Sequence, residues 1–224
     1  MTCVDYALWY KHPLVVFDVE TTGVNPEEGD RVVEVGVARF ESGRCVGEWG
    51  GLINPERPIP PEVAKIHGID DEAVANAPPF TSVLSHVIRL ARNAYPVAYN
   101  AKFDKAFLLS EMSRLQVHLD AVTMFDERVC WLDPLVWVRR NGSLWGNKLT
   151  DVCRRWEIEI DNAHRAAFDA KATGLLLMAM KEAKQLPTAT MCELMRQQQH
   201  YADAQQADID RWLARKKAKE ARRG

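Results

Sequence analysis

The ten residues LVVFDVETTG at positions 14–23 constrain this chain more than any other stretch. Leu14 to Val19 form a near-continuous apolar run broken only by Asp18, the pattern of a strand buried on both faces. In a strand, residues two apart point to one face. Asp18 and Glu20 therefore project side by side, while Phe17 and Val19 pack on the other face. Two carboxylates held that close raise each other's pKa, and burial raises both further. A divalent cation relieves the repulsion, and carboxylate oxygens suit Mg²⁺ or Mn²⁺. The chain has no Cys or His cluster that would favour zinc instead. Taken alone, the pair fits a wet strand end with two solvated acids equally well.

Other acids answer to this pair. Asp104 follows YNAKF, where a predicted strand (96–100) passes into a predicted helix (104–115). Such junctions hold functional groups in α/β sheets, although an isolated Asp there also reads as a helix N-cap. The segment HRAAFDA then sets His164 and Asp169 five residues apart. On a regular helix those positions lie about 140° apart, so both cannot share a face. Asp169 belongs on the helix and His164 on the loop or frayed turn before it, where it can swing over whatever the aspartate holds. By itself, His164 also reads as a surface histidine. Asp18, Glu20, Asp104 and Asp169 together supply four negative charges, which two divalent ions would neutralise. With a histidine of ordinary pKa about 6.5, this is the parts list for two-metal hydrolysis of a phosphodiester.

The rest of the chain gives these residues a frame. Residues 31–40 and 47–55 read as two more strands in a meander with the first. PPEVAKIHGI is a short helix ended by Gly68, and Asp70 caps a brief one running to Ala75. Val83, Leu84, Val87, Ile88 and Ala91 recur at helical spacing. VCWLDPLVWVRR starts like a helix that Pro134 interrupts, RNGSLWGNK is a loop, LTDVCRRWEI resumes a helix, and residues 164–183 form a long amphipathic one. Strands first, then helices interleaved with strands, indicate an α/β domain over residues 1–185. Residues 186–224 read as a helical or partly disordered charged tail, with seven Lys/Arg against one Glu over 211–224.

Composition narrows the function classes. The 224 residues carry a formal net charge of -2, which argues against wrapping long duplex nucleic acid but allows contact with a strand end. Five scattered cysteines (Cys3, Cys45, Cys130, Cys153, Cys192) without a CxxC pair imply neither a disulfide framework nor a zinc site, and point to a reducing cytosol. The first residues show no basic region followed by an apolar core and a small-residue cleavage site, so no signal peptide is expected, and the longest apolar run, LLLMAM at 175–180, is far short of a membrane span. A cytoplasmic protein with no membrane partner is expected.

FDVETTG, NAKFD and HRAAFDA, in that order, resemble the three motifs of the DEDDh (DnaQ-like) 3′→5′ exonucleases, the group containing the proofreading epsilon subunit of bacterial DNA polymerase III. The resemblance covers about residues 13–182, and KIHGID at 65–70 is similar to the family's HGI segment. The H-x4-D spacing selects the histidine branch; the tyrosine branch would place Tyr where this chain has Arg165. The resemblance implies a ribonuclease H-like fold with a central mixed five-stranded sheet flanked by helices. It also implies two divalent ions, Mg²⁺ or Mn²⁺, in the active site. Asp18 would bridge them, Glu20 and Asp169 would complete the tighter site, Asp104 would serve the second ion, and His164 would be the general base. Thr21 and Thr22 would hold the terminal nucleotide, with Gly23 allowing close approach of the strand. His67 and Ile69 would border its sugar and base, and Asn100 and Phe103 would line the same pocket. The implied substrate is a single-stranded or frayed 3′ end, DNA before RNA, and a DNA polymerase or repair assembly is a possible partner.

Residues 120–150 depart from the family pattern and hold a cluster of tryptophans. Trp131, Trp137 and Trp156 are expected in the core with Leu135 and Val136, whereas Trp145 sits in a polar loop and is left open. An RNA-directed exonuclease of the same fold, like RNase T or oligoribonuclease, is the runner-up, because no motif here reads a 2′-OH. A non-catalytic binding module would have lost an acid or the histidine, and none is lost.

Overall fold

The computed structural model describes residues 6–115, 128–159 and 165–221. The apolar run is β1 (Leu14–Thr21), in the interior of the sheet. It pairs antiparallel with β2 (Val32–Glu41), which pairs antiparallel with β3 (Arg44–Leu52). Ser42 and Gly43 join β2 to β3 with φ of 50° and 79°, the two positive values that let a two-residue turn follow the strands' twist. Three helices follow, α1 (Pro61–His67), α2 (Asp71–Val74) and α3 (Phe80–Ala91). As expected, Gly68 ends α1 in the left-handed conformation, and Asp70 caps α2 by accepting from Ala73 N–H. The chain then returns as β4 (Tyr95–Ala98), parallel to β1, and enters α4 (Ala101–Arg114). The order β3-β2-β1-β4 makes a mixed sheet.

The described residues hold four strands and a remnant of the expected fifth. Leu132 makes a single parallel bridge to Val97, donating to Pro96 O at 2.9 Å and accepting from Ala98 N–H at 3.1 Å. Asp133 ends the pairing there, because its carboxylate accepts Leu135 N–H at 2.9 Å and caps α5 (Pro134–Asn141). The sequence reading has Pro134 interrupting a helix; the structure has it starting one, at a position where no N–H is needed.

The sheet is covered on both faces. Val15, Phe17 and Val19 pack with Val35 and Val37 under α3 and α4, against Phe80, Val83, Val87, Phe107 and Leu108. The opposite side of β1, Leu14 and Val16, meets α6 (Leu149–Arg155), α7 (Ala166–Glu182) and the start of α8 (Met191–Ala221) through Val152, Ala170, Leu177 and Leu194. Asp18 and Glu20 continue that side, so they face the α7 layer. Gln198 fastens α8 down: its Oε1 accepts from Asp133 N–H (2.8 Å) and Trp137 Nε1 (3.3 Å), and its Nε2 donates to Trp131 O (2.8 Å). Trp131, Trp137, Leu135 and Val136 are buried, and Trp156 packs against the cluster that holds Val136 and Trp137.

Cys45, Cys130 and Cys153 are free thiols, but Cys192 is disulfide-bonded, which corrects the expectation of wholly reduced cysteines. Pairing depends on closeness in space, which spacing along the chain does not report. No helix among the described residues is long and apolar enough to cross a membrane.

Candidate active site

Asp18, Glu20 and Asp169 converge, with one oxygen from each within 4.8 Å of the others. Bare backbone makes this possible. Asp18 pairs with Gly36 and Gly36 with Gly50, so the row crossing β1, β2 and β3 carries no side chain beyond Asp18. A Cβ on Gly36 would lie 2.0 Å from the Ala166 carbonyl, and one on Gly50 2.7 Å from the Ala167 methyl. The first turn of α7 therefore rests directly on the sheet, which lets Asp169 in that turn reach the β1 acids. In the next row Glu34 lies opposite Glu20 and clamps the same turn. It accepts Arg165 Nε at 2.9 Å, Arg165 Nη2 at 2.8 Å and Ala166 N–H at 3.2 Å.

Asp104 stands beside the cluster rather than in it. Helix α4 starts at Ala101, ahead of the sequence reading, which moves Asp104 from the helix cap into its first turn. There its Oδ1 accepts Val19 N–H at 3.0 Å. Asp133 does the capping instead, accepting the N–H groups of Asn100 and Ala101, each at 3.0 Å. His164 lies outside the described residues.

The carboxylates share one electrostatic problem. Burial pushes Asp18 well above the usual carboxylate range, and Asp104, Asp169, Glu20 and Glu34 push it further. Burial, then Asp169 and Glu34, raise Glu20 from 4.5 to about 8. Asp104 is also raised by burial, against the opposing hydrogen bond from Val19. Converging hard oxygens whose charges repel suit a divalent cation, so the donor set fits Mg²⁺ or Mn²⁺.

An acid whose pKa is higher folded than unfolded binds more protons when folded. For Glu20 that stabilisation is present below 4.5 and is lost as pH rises through about 8. The metal-free protein is expected to melt lower at about pH 8 than at about pH 5.5, and Mn²⁺ to raise its melting temperature more at the higher pH. Thermal scans in EDTA and in Mn²⁺ at both values check this; melting in EDTA that rises toward pH 8 contradicts it.

An open cleft of about 570 Å³ lies over these acids. Tyr99, Asn100 and Phe103 form one wall, and the loop bearing Trp145 forms the other, with Ile66 and Arg139 at its margins. Of the nucleotide-pocket candidates, Asn100 (φ 69°) and Phe103 line the cleft directly. His67 is buried against the end of β1. Its Nδ1 accepts Ile69 N–H at 3.1 Å, which leaves Nε2 to donate to Thr21 O at 3.2 Å. Ile69 packs with Val33, Ile59 and Val74. Thr21 Oγ1 donates to Gly23 O at 2.6 Å, and Thr22 Oγ1 donates to Asp30 at 3.2 Å while accepting Arg31 N–H at 3.0 Å. Gly23 has a local reason to be glycine, since a Cβ there would meet the Asp30 carboxylate at 2.2 Å.

The profile of the exonuclease family (RNase_T) matches residues 15–177, a span that includes every one of these acids. The chain belongs to this exonuclease family. The exonuclease domain is 33% identical to the 3′-5′ exonuclease DinG of Bacillus subtilis over 192 residues, 85% of this chain and 20% of that protein. It is 31% identical to DNA polymerase III subunit epsilon of Rickettsia prowazekii over 164 residues, 73% of this chain and 69% of that one. Among solved structures, exonuclease X in complex with 5′ overhanging duplex DNA has a TM-score of 0.62 at 22% identity, over 83% of this chain and 98% of that one. The nuclease domain of 3′hExo, a DEDDh family member bound to rAMP, has a TM-score of 0.63 at 17% identity, over 79% and 95%. These two likenesses show the shared ribonuclease H-like fold. The chain spans only 20% of DinG and 12% of the PolC-type DNA polymerase III of Caldanaerobacter subterraneus.

Several residues that shape this exonuclease cleft escaped the sequence reading. Glu34 carried a usable signal, an acid inside the apolar strand VVEVGV, the same anomaly that exposes Asp18. In the sequence Arg165 marks only the departure from the tyrosine branch, yet in the structure it is the partner of Glu34. Arg139 in α5 and Tyr99 just after β4, whose hydroxyl donates to Asn147 O at 2.7 Å, gave no signal, because the cleft joins elements far apart in the chain.

Proposed function

We propose that this chain hydrolyses the terminal phosphodiester at the 3′ end of single-stranded or frayed DNA and releases 5′-mononucleotides one at a time. The observation that carries the reading is the convergence of Asp18, Glu20 and Asp169 on the floor of an open cleft, with Asp104 beside them. Asp18, Glu20 and Asp169 would hold one ion, and Asp18 and Asp104 a second. When bound, two divalent ions lower the pKa of the attacking water and stabilise the leaving oxygen. His164, preceding α7, accepts the water's proton as its oxygen attacks phosphorus. The bond from phosphorus to the 3′ oxygen of the preceding nucleotide breaks, and that oxygen takes a proton from solvent water, leaving a 3′-hydroxyl on the shortened strand. Asn100 and Phe103 seat the terminal nucleotide, while His67 fixes the carbonyl of Thr21 at the end of β1. Clamping of the α7 turn by Glu34 and Arg165 keeps Asp169 in position. DNA is favoured over RNA because relatives above 30% identity carry DNA polymerase III names. Work within a polymerase or repair assembly is part of the same reading.

The test is digestion of 5′-labelled single-stranded DNA and RNA of matched sequence in Mg²⁺, in Mn²⁺ and in EDTA. The expected result is a ladder shortening from the 3′ end of DNA and abolished by EDTA. Preference for RNA would move the chain to the exoribonuclease reading. Metal-independent cleavage, or full activity in His164→Ala, would overturn the mechanism.

A further inference from the structure

Two large aromatic side chains stay half in water beside the cleft. Trp145, on the cleft-forming loop, is 49% exposed, and Trp212, on the outer half of α8, is 45% exposed. Their ring centroids lie 5.0 Å apart, with the planes tilted by 48°. Lys216 Nζ sits 5.5 Å from the centre of the Trp212 ring. Trp212, Arg215, Lys216 and Lys219 lie along one exposed face of α8, where Glu220 is 4.0 Å from Lys216. The chain thus passes from four acids in the cleft, through two adjoining aromatic faces, to a surface of cations.

That sequence of chemistry fits one occupant. Every base has a face that can stack on an exposed aromatic ring, and a phosphate backbone needs cations beside it. The acids suit a metal-held terminus, whereas the strand behind that terminus needs the stacking and positive charge that the cleft floor lacks. We infer that Trp145, Trp212 and the basic face of α8 form the track for a single-stranded polynucleotide whose 3′ end occupies the cleft. The inference rests on the exonuclease reading of that cleft, and it adds the site that grips the strand upstream. The net charge of -2 is no objection, because the seven Lys/Arg of residues 211–224 are concentrated at this one end.

The test reads binding apart from hydrolysis. Fluorescence anisotropy of labelled oligothymidylate and oligouridylate, each about twenty nucleotides long, is measured with the full chain in EDTA. Trp212→Ala is expected to weaken binding about tenfold, and Trp212→Phe, which keeps an aromatic face, to recover most of it. Replacing Arg215, Lys216 and Lys219 together by Gln should flatten the slope of log Kd against log salt by about 2. The two homopolymers separate a DNA-selective from an RNA-selective track. If Trp212→Ala binds as tightly as the parent, or Trp212→Phe as weakly as Trp212→Ala, the pair only pins α8 to the loop and the inference fails. An unchanged salt slope would assign the basic face to another occupant, such as an acidic protein, and would also sink it. In Mn²⁺, the preference for the long oligonucleotide over a dinucleotide should fall about tenfold in Trp212→Ala. If the parent hydrolyses neither substrate, the exonuclease reading fails on that result, while the anisotropy still decides the track.

Discussion

Asp18→Asn is expected to lower 3′→5′ hydrolysis by at least about a thousandfold, some 4 kcal/mol of barrier, while making the metal-free protein more stable. The substitution keeps the shape of the side chain and removes one charge. In the metal-free protein that charge is opposed by burial and by four neighbouring acids. Its loss should raise the melting temperature in EDTA at about pH 8 by a few degrees. In Mn²⁺ the order reverses: the parent gains stability by binding the ion, and the variant gains less. The three readouts must move together. A variant that is inactive and also less stable in EDTA would make Asp18 a packing residue. A variant that responds to Mn²⁺ like the parent would remove it from the metal site.

The same opposed behaviour explains how the acids could be found in the sequence at all. A carboxylate in an apolar strand violates the local pattern, and such violations mark functional positions. Asp18 and Glu20 could be placed on one face because strand periodicity is strict, and the structure puts them on the side of β1 that α7 covers. Asp104 was legible as an acid at a strand-to-helix junction, but its helix register was not. That register depends on Asp133, which caps α4 from far along the chain. The family resemblance implies a fifth strand; among the described residues it is one bridge at Leu132, ended by the cap that Asp133 supplies to α5. The outer half of α8 gave only a charge count. What it does with Trp212 depends on Gln198 and Gln205 docking the helix beside α5, which no pattern in a Gln-rich segment announces.

Gly36→Ala is expected to be the most damaging substitution that touches no charge. The new methyl would sit 2.0 Å from the carbonyl of Ala166, a backbone atom in the first turn of α7. Neither partner can rotate away, so α7 must lift from the sheet by about 1 Å or more. Overpacking of this kind costs roughly 3 kcal/mol or more when backbone must move. Glu34 resists the lift, since its carboxylate is tied to Arg165 and to Ala166 N–H. Asp169 rides on the same turn, so the displacement pulls it from Asp18 and Glu20. A misplacement of about 1 Å at a reacting centre costs on the order of a hundredfold in rate. The expected outcome is a lower melting temperature, a smaller stabilisation by Mn²⁺ and a kcat reduced about a hundredfold. Gly50→Ala supplies the graded comparison, because its Cβ would meet only the Ala167 methyl, at 2.7 Å. It should show the same three changes, each smaller. If Gly36→Ala melts and turns over like the parent, the row of bare backbone is not what seats α7, and the geometry of the carboxylate cluster must be held by the Glu34–Arg165 clamp alone.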